Sequence, residues 1–152
     1  MLDESLAAFV QEGIAINIGT RNARLEPNGA RVIAVRVDPD RAAIVAYLPG
    51  PAAAPLLADL KANGQGALGF ARPVDDRACQ VKGVFMESWP ATAAERPFVE
   101  AQWEASRRQL EAVGIPATAT AAWAMWPCVA VRLRITATFT QTPGPGAGAP
   151  IA

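Results

Sequence analysis

The stretch Cys128-Val129-Ala130-Val131-Arg132-Leu133-Arg134-Ile135-Thr136-Ala137-Thr138-Phe139-Thr140 shows the clearest alternation in the chain. Branched apolar side chains stand at every second position from Val129 to Ile135, and Arg132 and Arg134 stand between them. Alternation with a period of two is typical of a β-strand that buries one face and exposes the other. The sequence therefore predicts a half-buried strand over 128–140.

Working outward from this strand, the same signal and the turn residues that interrupt it divide the chain into short elements. Strands are predicted over 14–20, 30–37, 42–48, 66–72 and 78–88, with turns at 21–29, 38–41 and 73–77. Helices are predicted after Asp3, over 53–63, and from a capping box at 92–95 to about residue 113. Residues 117–126 are ambiguous and fit a short helical turn that packs tryptophans.

Six strands with mostly short connections do not fit a βαβ array. They indicate a mainly β fold, a small closed or split six-stranded antiparallel barrel with peripheral helices. The length of 152 residues and the apolar share of 51% suit one compact domain, predicted over 1–142. The Pro/Gly-rich residues 143–152 are predicted to form a tail that lies over the surface or a partner.

Charge and residue usage exclude several function classes. Net charge is zero, with 14 basic and 14 acidic residues, which argues against a non-specific nucleic-acid binder. The chain has no histidine, which excludes Ser–His and Cys–His nucleophile pairs and histidine-ligated zinc or haem. The two cysteines, Cys79 and Cys128, cannot form a four-cysteine metal site and are interpreted as inert buried thiols. No metal site is predicted, so chemistry must come from a bound cofactor or be absent.

The sequence gives no targeting or membrane signal. It opens Met1-Leu2-Asp3-Glu4, which is acidic where a secretory signal is basic, and no apolar run approaches the ~20 residues that span a bilayer. Two isolated cysteines suit a reducing compartment. We therefore expect a cytoplasmic protein without a membrane partner.

Polar side chains at two strand positions are candidates for binding. Gln80 and Lys82 share one face of the predicted strand 78–88, where they could hold a phosphate and the edge of a heteroatom ring. The alternative is that Lys82 extends from a solvated face. Arg77 either joins the same anion site or pairs with a neighbouring aspartate. The cluster at the end of the first predicted strand is either a ligand site or turn chemistry; it consists of Thr20, Arg21 and Asn22.

Three segments, taken in order, resemble the pyridoxamine 5'-phosphate oxidase-related family of FMN-binding split barrels. They are Gly19-Thr20-Arg21-Asn22, Leu56-Leu57-Ala58-Asp59-Leu60-Lys61-Ala62-Asn63-Gly64 and Arg77-Ala78-Cys79-Gln80-Val81-Lys82-Gly83. The tail from Phe139 to Gly148 is similar to that of one subgroup of these small proteins. The similarity runs over nearly the whole chain, and the order and spacing of the segments carry it.

The resemblance implies a homodimer with FMN in a cleft between the subunits. It places Thr20, Arg21 and Asn22 beside the flavin, matches Gln80 to a glutamine near the ring or ribityl chain, and matches Lys82 to a basic position on the same strand. The catalytic residues and the substrate stay unknown.

One region departs from the family pattern. In the oxidase proper, the helix after the third strand begins with a serine-arginine-lysine cluster that clamps the FMN phosphate, whereas residues 48–55 here hold no cation. True pyridoxamine-phosphate oxidase activity is therefore not expected. Two hypotheses stay open: a flavin-dependent oxidoreductase acting on a small molecule, with a deazaflavin as a variant cofactor, or a cofactor-free split barrel that serves as a binding module.

Overall fold

The computed structural model describes residues 1–123 and 125–151. Four helices and seven strands follow one another along the chain. They are α1 (Glu4–Phe9), β1 (Ala15–Arg21), β2 (Pro27–Val32), β3 (Ala34–Val37), β4 (Ala43–Pro49), α2 (Gly50–Asn63), β5 (Gln65–Ala71), β6 (Ala78–Pro90), α3 (Arg96–Ala112), α4 (Ala117–Thr120) and β7 (Cys128–Thr140).

All seven strands belong to one antiparallel sheet, in the order β2-β1-β5-β6-β7-β4-β3. The two edge strands, β2 and β3, are consecutive in the chain and are separated by Ile33 alone. Because one residue must link the two edges, the sheet curls until its edges meet. The result is a curled, barrel-like antiparallel sheet, as the sequence predicts.

The predicted count of six strands is wrong by one, because the predicted strand over 30–37 is two strands. The chain turns a corner at Ile33, whose N–H donates to the carbonyl of Tyr47 on β4 (2.8 Å). Residues before the corner pair with β1, and residues after it pair with β4. The predicted turn at 27–29 also proves to be the start of β2, where Pro27 is tolerated as the first residue of an edge strand.

Two hydrophobic cores lie on opposite sides of β4. Ile44 and Leu48 point into the barrel interior, which also receives α1 and α2, while Tyr47 points to a second core under α3. Trp103 of α3 packs in that second core. Six of the seven residues of β4 are buried for this reason.

Two glutamine side chains, one from α3 and one from the turn after α1, bind the open edge of β3. Gln102 of α3 accepts a hydrogen bond from the N–H of Val35 (3.0 Å) and donates one to its carbonyl (2.7 Å). Gln11 accepts from the N–H of Val37 (3.0 Å). The backbone groups that no strand pairs are therefore bound by amide side chains.

The tail folds back on its own sheet. The N–H of Ile151 donates to the carbonyl of Thr138, and the N–H of Gly148 donates to that of Thr140. Ile151 also packs against the barrel core. In the described part of the chain, no helix is both long and apolar enough to cross a membrane.

Candidate functional site

The register of five neighbouring strands defines one face on the side of the sheet away from the barrel interior. Directly opposed residues point to the same side of a sheet. One row across β2, β1, β5, β6 and β7 consists of Arg31, Asn17, Gly69, Gln80 and Phe139. The next row consists of Gly29, Gly19, Ala67, Lys82 and Ala137. We call the surface formed by these two rows the outer face.

The centre of the outer face is almost free of side chains. A Cβ atom added to Gly19 or Gly69 would meet no atom within 4 Å, so packing within the chain does not require glycine at either position. Glycine is disfavoured in strands, and inside a strand it often marks a place where a ligand or another backbone approaches closely. We call Gly19, Ala67 and Gly69 the glycine floor. These residues lie on two neighbouring strands, β1 and β5, and β6 with Gln80 and Lys82 follows one strand spacing, about 5 Å, beyond β5.

Two cations border a cavity of about 530 Å³ at one end of this floor. Arg21 donates from Nη2 to Oε1 of Gln65 (3.2 Å), and Nζ of Lys82 lies 4.8 Å from the centre of the Phe139 ring. The described residues that line the cavity are all neutral or basic. Neither cation forms an ion pair within the described residues. The cavity therefore suits an anionic or electron-rich group.

The β6–β7 ladder is irregular beside Lys82. Lys82 pairs with Ala137, but Gly83 pairs with Ile135, so Thr136 is an extra residue on β7. Its hydroxyl donates to the carbonyl of Lys82 (3.1 Å). Bulges of this kind are common beside functional sites, where they redirect a side chain.

A shallower cavity of about 290 Å³ continues the floor along the same strands. Three carboxamide side chains, those of Asn17, Gln80 and Gln141, lie around it, and Gly69 forms part of its base. Carboxamides both donate and accept hydrogen bonds, so they can match the heteroatoms of a planar ring at its edge.

Arg31, which the sequence analysis did not single out, lies at the β2 end of the outer face. Its guanidinium stacks 4.1 Å from the centre of the Trp123 ring, in a cavity of about 380 Å³ that reaches Pro51 and Ala52 at the start of α2. It is half-buried, and burial lowers its pKa below the ordinary value. No side chain caps the N-terminus of α2. A cation of β2 therefore lines the same cavity as the helix start, although residues 48–55 contain none.

The structure brings four of the six predicted site residues to the outer face or the cavity at its border and separates the other two. Arg21, Gln80 and Lys82 lie on the outer face or at its border. Thr20 points inward and is buried, but it lines the same cavity as Arg21 and Lys82. Asn22 lies in the β1–β2 turn, where its Nδ2 donates to Glu26 (2.6 Å). Arg77 stacks 4.2 Å from the centre of the Phe9 ring instead of joining the anion site.

The buried polar and thiol groups elsewhere are poor candidates for chemistry. Burial raises the pKa of Cys79 to about 12 and that of Cys128 to about 11, so both thiols stay protonated. Tyr47 is fully buried and donates to Glu95 (2.9 Å). Within 1–123 and 125–151, no group of three acidic or cysteine side chains could hold a metal ion.

Comparison with known proteins supports the fold. No family model matches the chain, and no curated protein matches it. An F420 reductase superposes with a TM-score of 0.61 at 15% identity, covering 90% of this chain and 98% of its own. An FMN-binding protein from Syntrophomonas wolfei follows with a TM-score of 0.57 at 14% identity, covering 93% and 90%.

Two further solved structures widen the range of bound groups. A proposed pyridoxamine 5'-phosphate oxidase from Lactobacillus delbrueckii has a TM-score of 0.57 at 13% identity, covering 91% and 93%. HutZ, a heme storage protein from Vibrio cholerae, has a TM-score of 0.50 at 12% identity, covering 91% and 94%. The resemblance to the FMN-binding split-barrel family is thereby confirmed for the fold.

Proposed function

We propose that this protein binds FMN on the outer face and acts as a flavin-dependent oxidoreductase on a small molecule. The observation that carries the proposal is the glycine floor, which lies between Arg31 at one end and Arg21 and Lys82 at the other. A planar ring can lie against bare backbone there, and its anionic groups can reach cations on both sides. A bound flavin supplies hydride transfer.

The residues on the outer face fit the parts of FMN. Asn17 and Gln80 offer donors and acceptors to the heteroatoms of the ring, and Lys82 offers a positive charge to its polar edge. Arg31 and the uncapped start of α2 would hold the phosphate, because a guanidinium and helix amides both favour a dianion. Arg31 would thus take over part of the work of the absent serine-arginine-lysine cluster.

The same surface supports a homodimer. The outer face is open to solvent in one chain, and a second copy over it would enclose the ring and exclude water. We propose this dimer, with a cofactor cleft at the interface. We also propose a cytoplasmic location, because the two cysteines form no disulfide and suit a reducing compartment.

Haem is not proposed for this chain. The sequence has no histidine, its one tyrosine is buried and bonded to Glu95, and its two thiols are buried and protonated. The alternative that stays open is a split barrel without cofactor, acting as a binding module. Titration with FMN separates it from the flavin proposal.

The test is titration of the purified protein with FMN and with riboflavin, followed by flavin fluorescence. Wild type is expected to bind FMN at micromolar concentration. Lys82→Ala should weaken both ligands, whereas Arg31→Ala should weaken FMN alone, because riboflavin has no phosphate. Loss of one charge-assisted contact, about 1.5–3 kcal/mol, corresponds to about ten- to a hundredfold in affinity.

The matched control is Arg108→Ala, which removes an exposed arginine from α3, away from the outer face. It should bind both ligands as wild type does. Absence of FMN binding to wild type at millimolar concentration would overturn the proposal in favour of the binding module. Equal weakening of FMN and riboflavin by Arg31→Ala would overturn the phosphate assignment.

A further inference from the structure

We propose that Asp59 of α2 is a positioning residue for the flavin site. This inference rests on the proposed function. Oδ2 of Asp59 accepts one hydrogen bond from the hydroxyl of Thr20 (2.8 Å) and one from Nδ2 of Asn28 (2.7 Å). These two bonds join one helix to the ends of two strands beneath the outer face.

Neighbouring residues of β1 and β2 point to opposite faces of the sheet, so a contact that fixes an inward residue also fixes the backbone of the outward residue beside it. Thr20 points into the barrel and the next residue, Arg21, points to the opposite side of the strand, and both residues border the cavity. Asn28 points inward in the same way, and Gly29 follows it in the outer row that contains Gly19. By binding Thr20 and Asn28, Asp59 fixes the backbone position from which the Arg21 side chain extends. It also fixes the position of the backbone of β1 and β2 next to the glycine floor.

Packing alone does not account for a carboxylate at this place. Asp59 is 5% exposed, and its inward neighbours on the helix are Leu56 and Leu60. It is the one acidic or basic side chain that is fully buried within the described residues, and it forms no ion pair there. A buried carboxylate is costly to desolvate, and an apolar residue would fill the same position at lower cost. Its two directed hydrogen bonds are what an apolar residue could not supply.

One helical turn later, Asn63 holds the same strand end. Its Nδ2 donates to the carbonyl of Arg21 (2.6 Å), and its Oδ1 accepts from the N–H of Gln65 (3.0 Å). Gln65 in turn accepts from the guanidinium of Arg21 (3.2 Å). Residues four apart share a helix face, so Asp59 and Asn63 together clamp the end of β1. The opposite end of α2 borders the Arg31 cavity, and this one helix therefore sets both ends of the site.

The experiment measures FMN affinity for two pairs of variants, each well below its thermal midpoint. Asp59→Ala removes the acceptor, whereas Asp59→Asn keeps an oxygen that can accept both bonds. Thr20→Val removes the donor at nearly constant volume, whereas Thr20→Ser keeps it. We expect Asp59→Ala and Thr20→Val to bind FMN about tenfold more weakly, as for the loss of a hydrogen bond of about 1.4 kcal/mol. Asp59→Asn and Thr20→Ser should stay within threefold of wild type.

Lys61→Ala is the control, since it removes an exposed charge two residues away on the same helix. A merely structural role would lower the thermal midpoint of Asp59→Ala and leave its FMN affinity and the absorption bands of the bound flavin unchanged. That result would overturn the positioning role while the proposed function stands. Should Asp59→Ala fail to fold, Thr20→Val and Thr20→Ser decide. Absence of FMN binding to wild type would overturn both proposals.

Discussion

Substitution of Gly19 by valine separates binding on the outer face from the stability of the fold. The Cβ position of Gly19 is open, with no atom within 4 Å, and its backbone is not in the left-handed region. Valine is favoured over glycine in strands on a scale that spans about 1 kcal/mol. We expect Gly19→Val to leave the free energy of unfolding unchanged or raise it by up to about 1 kcal/mol, which corresponds to a rise in thermal midpoint of up to about 4 °C.

The effect on flavin binding should be opposite in sign. Atoms in contact lie about 3.5–4.0 Å apart, so a ring on the floor occupies the layer that the valine methyl groups would fill. The ring must then lift away from the backbone and lose contacts with the floor. We expect Gly19→Val to weaken FMN and riboflavin alike, by at least tenfold, or about 1.4 kcal/mol.

Fluorescence titration and thermal denaturation of the same preparations give both quantities. Gly69→Val should repeat the result, because its Cβ position is equally open. Gly146→Val is the matched control: it makes the same chemical change in the tail, also with no atom within 4 Å of the Cβ. FMN affinity unchanged in Gly19→Val, with the fold intact, would refute the reasoning that the floor is a ring-binding surface.

Three further predictions concern the scaffold. Gly13→Ala should lower the free energy of unfolding by about 2–4 kcal/mol, because φ is +73° and the new Cβ would lie 2.5 Å from that of Ala105; a urea midpoint equal to wild type would contradict this. Cys79 and Cys128 should resist a thiol reagent at pH 8 until the protein unfolds, and rapid labelling of the native protein would contradict this. Because burial raises the pKa of both thiols, their contribution to the free energy of unfolding should fall as pH rises above about 9. Glu95→Gln should cost about 1–2 kcal/mol in urea unfolding at pH 7. Burial alone would raise the pKa of Glu95, but hydrogen bonds from Thr92, Tyr47 and Trp89 outweigh burial and lower the pKa. The difference in free energy of unfolding between Glu95→Gln and wild type should therefore shrink as pH falls through the carboxyl range. A difference that stays constant with pH would disprove the assignment.

Strand positions in this chain are readable from sequence, but the change of strand partners at Ile33 is not. Alternation placed β1, β5, β6 and β7 within about two residues of their observed bounds. The strand β4, which is buried on both faces, was placed to the same precision by the turn at 38–41 and by Pro49 that bound it. Val32, Ile33, Ala34 and Val35 are all buried, because the first and last of them pack in the barrel core and the middle two pack in the core under α3. A run of buried residues has no period, so the sequence pattern could not show the corner.

The candidate site was partly predictable, because the period of two along a strand shows which side chains share a face. The period of two correctly places Gln80 and Lys82 on one face. The same period places Thr20 and Arg21 on opposite faces of β1, so only Arg21 lies on the side of the outer face. The predicted strand over 30–37 places Arg31 on one face with Ile33, Val35 and Val37, where a lone cation among apolar residues could have drawn attention. Its position beside the start of α2, however, depends on the corner at Ile33.

The two glutamine side chains that bind the edge of β3 have a consequence for how this protein behaves at high concentration. A strand with unpaired backbone groups is a template on which another molecule can add a strand, and repeated addition leads to fibres. Gln102 occupies both groups of Val35 and Gln11 occupies the N–H of Val37, so an incoming chain finds these positions taken. The amide side chains thus block the addition of a further strand at the β3 edge, and this protects the protein against growth of the sheet from that side.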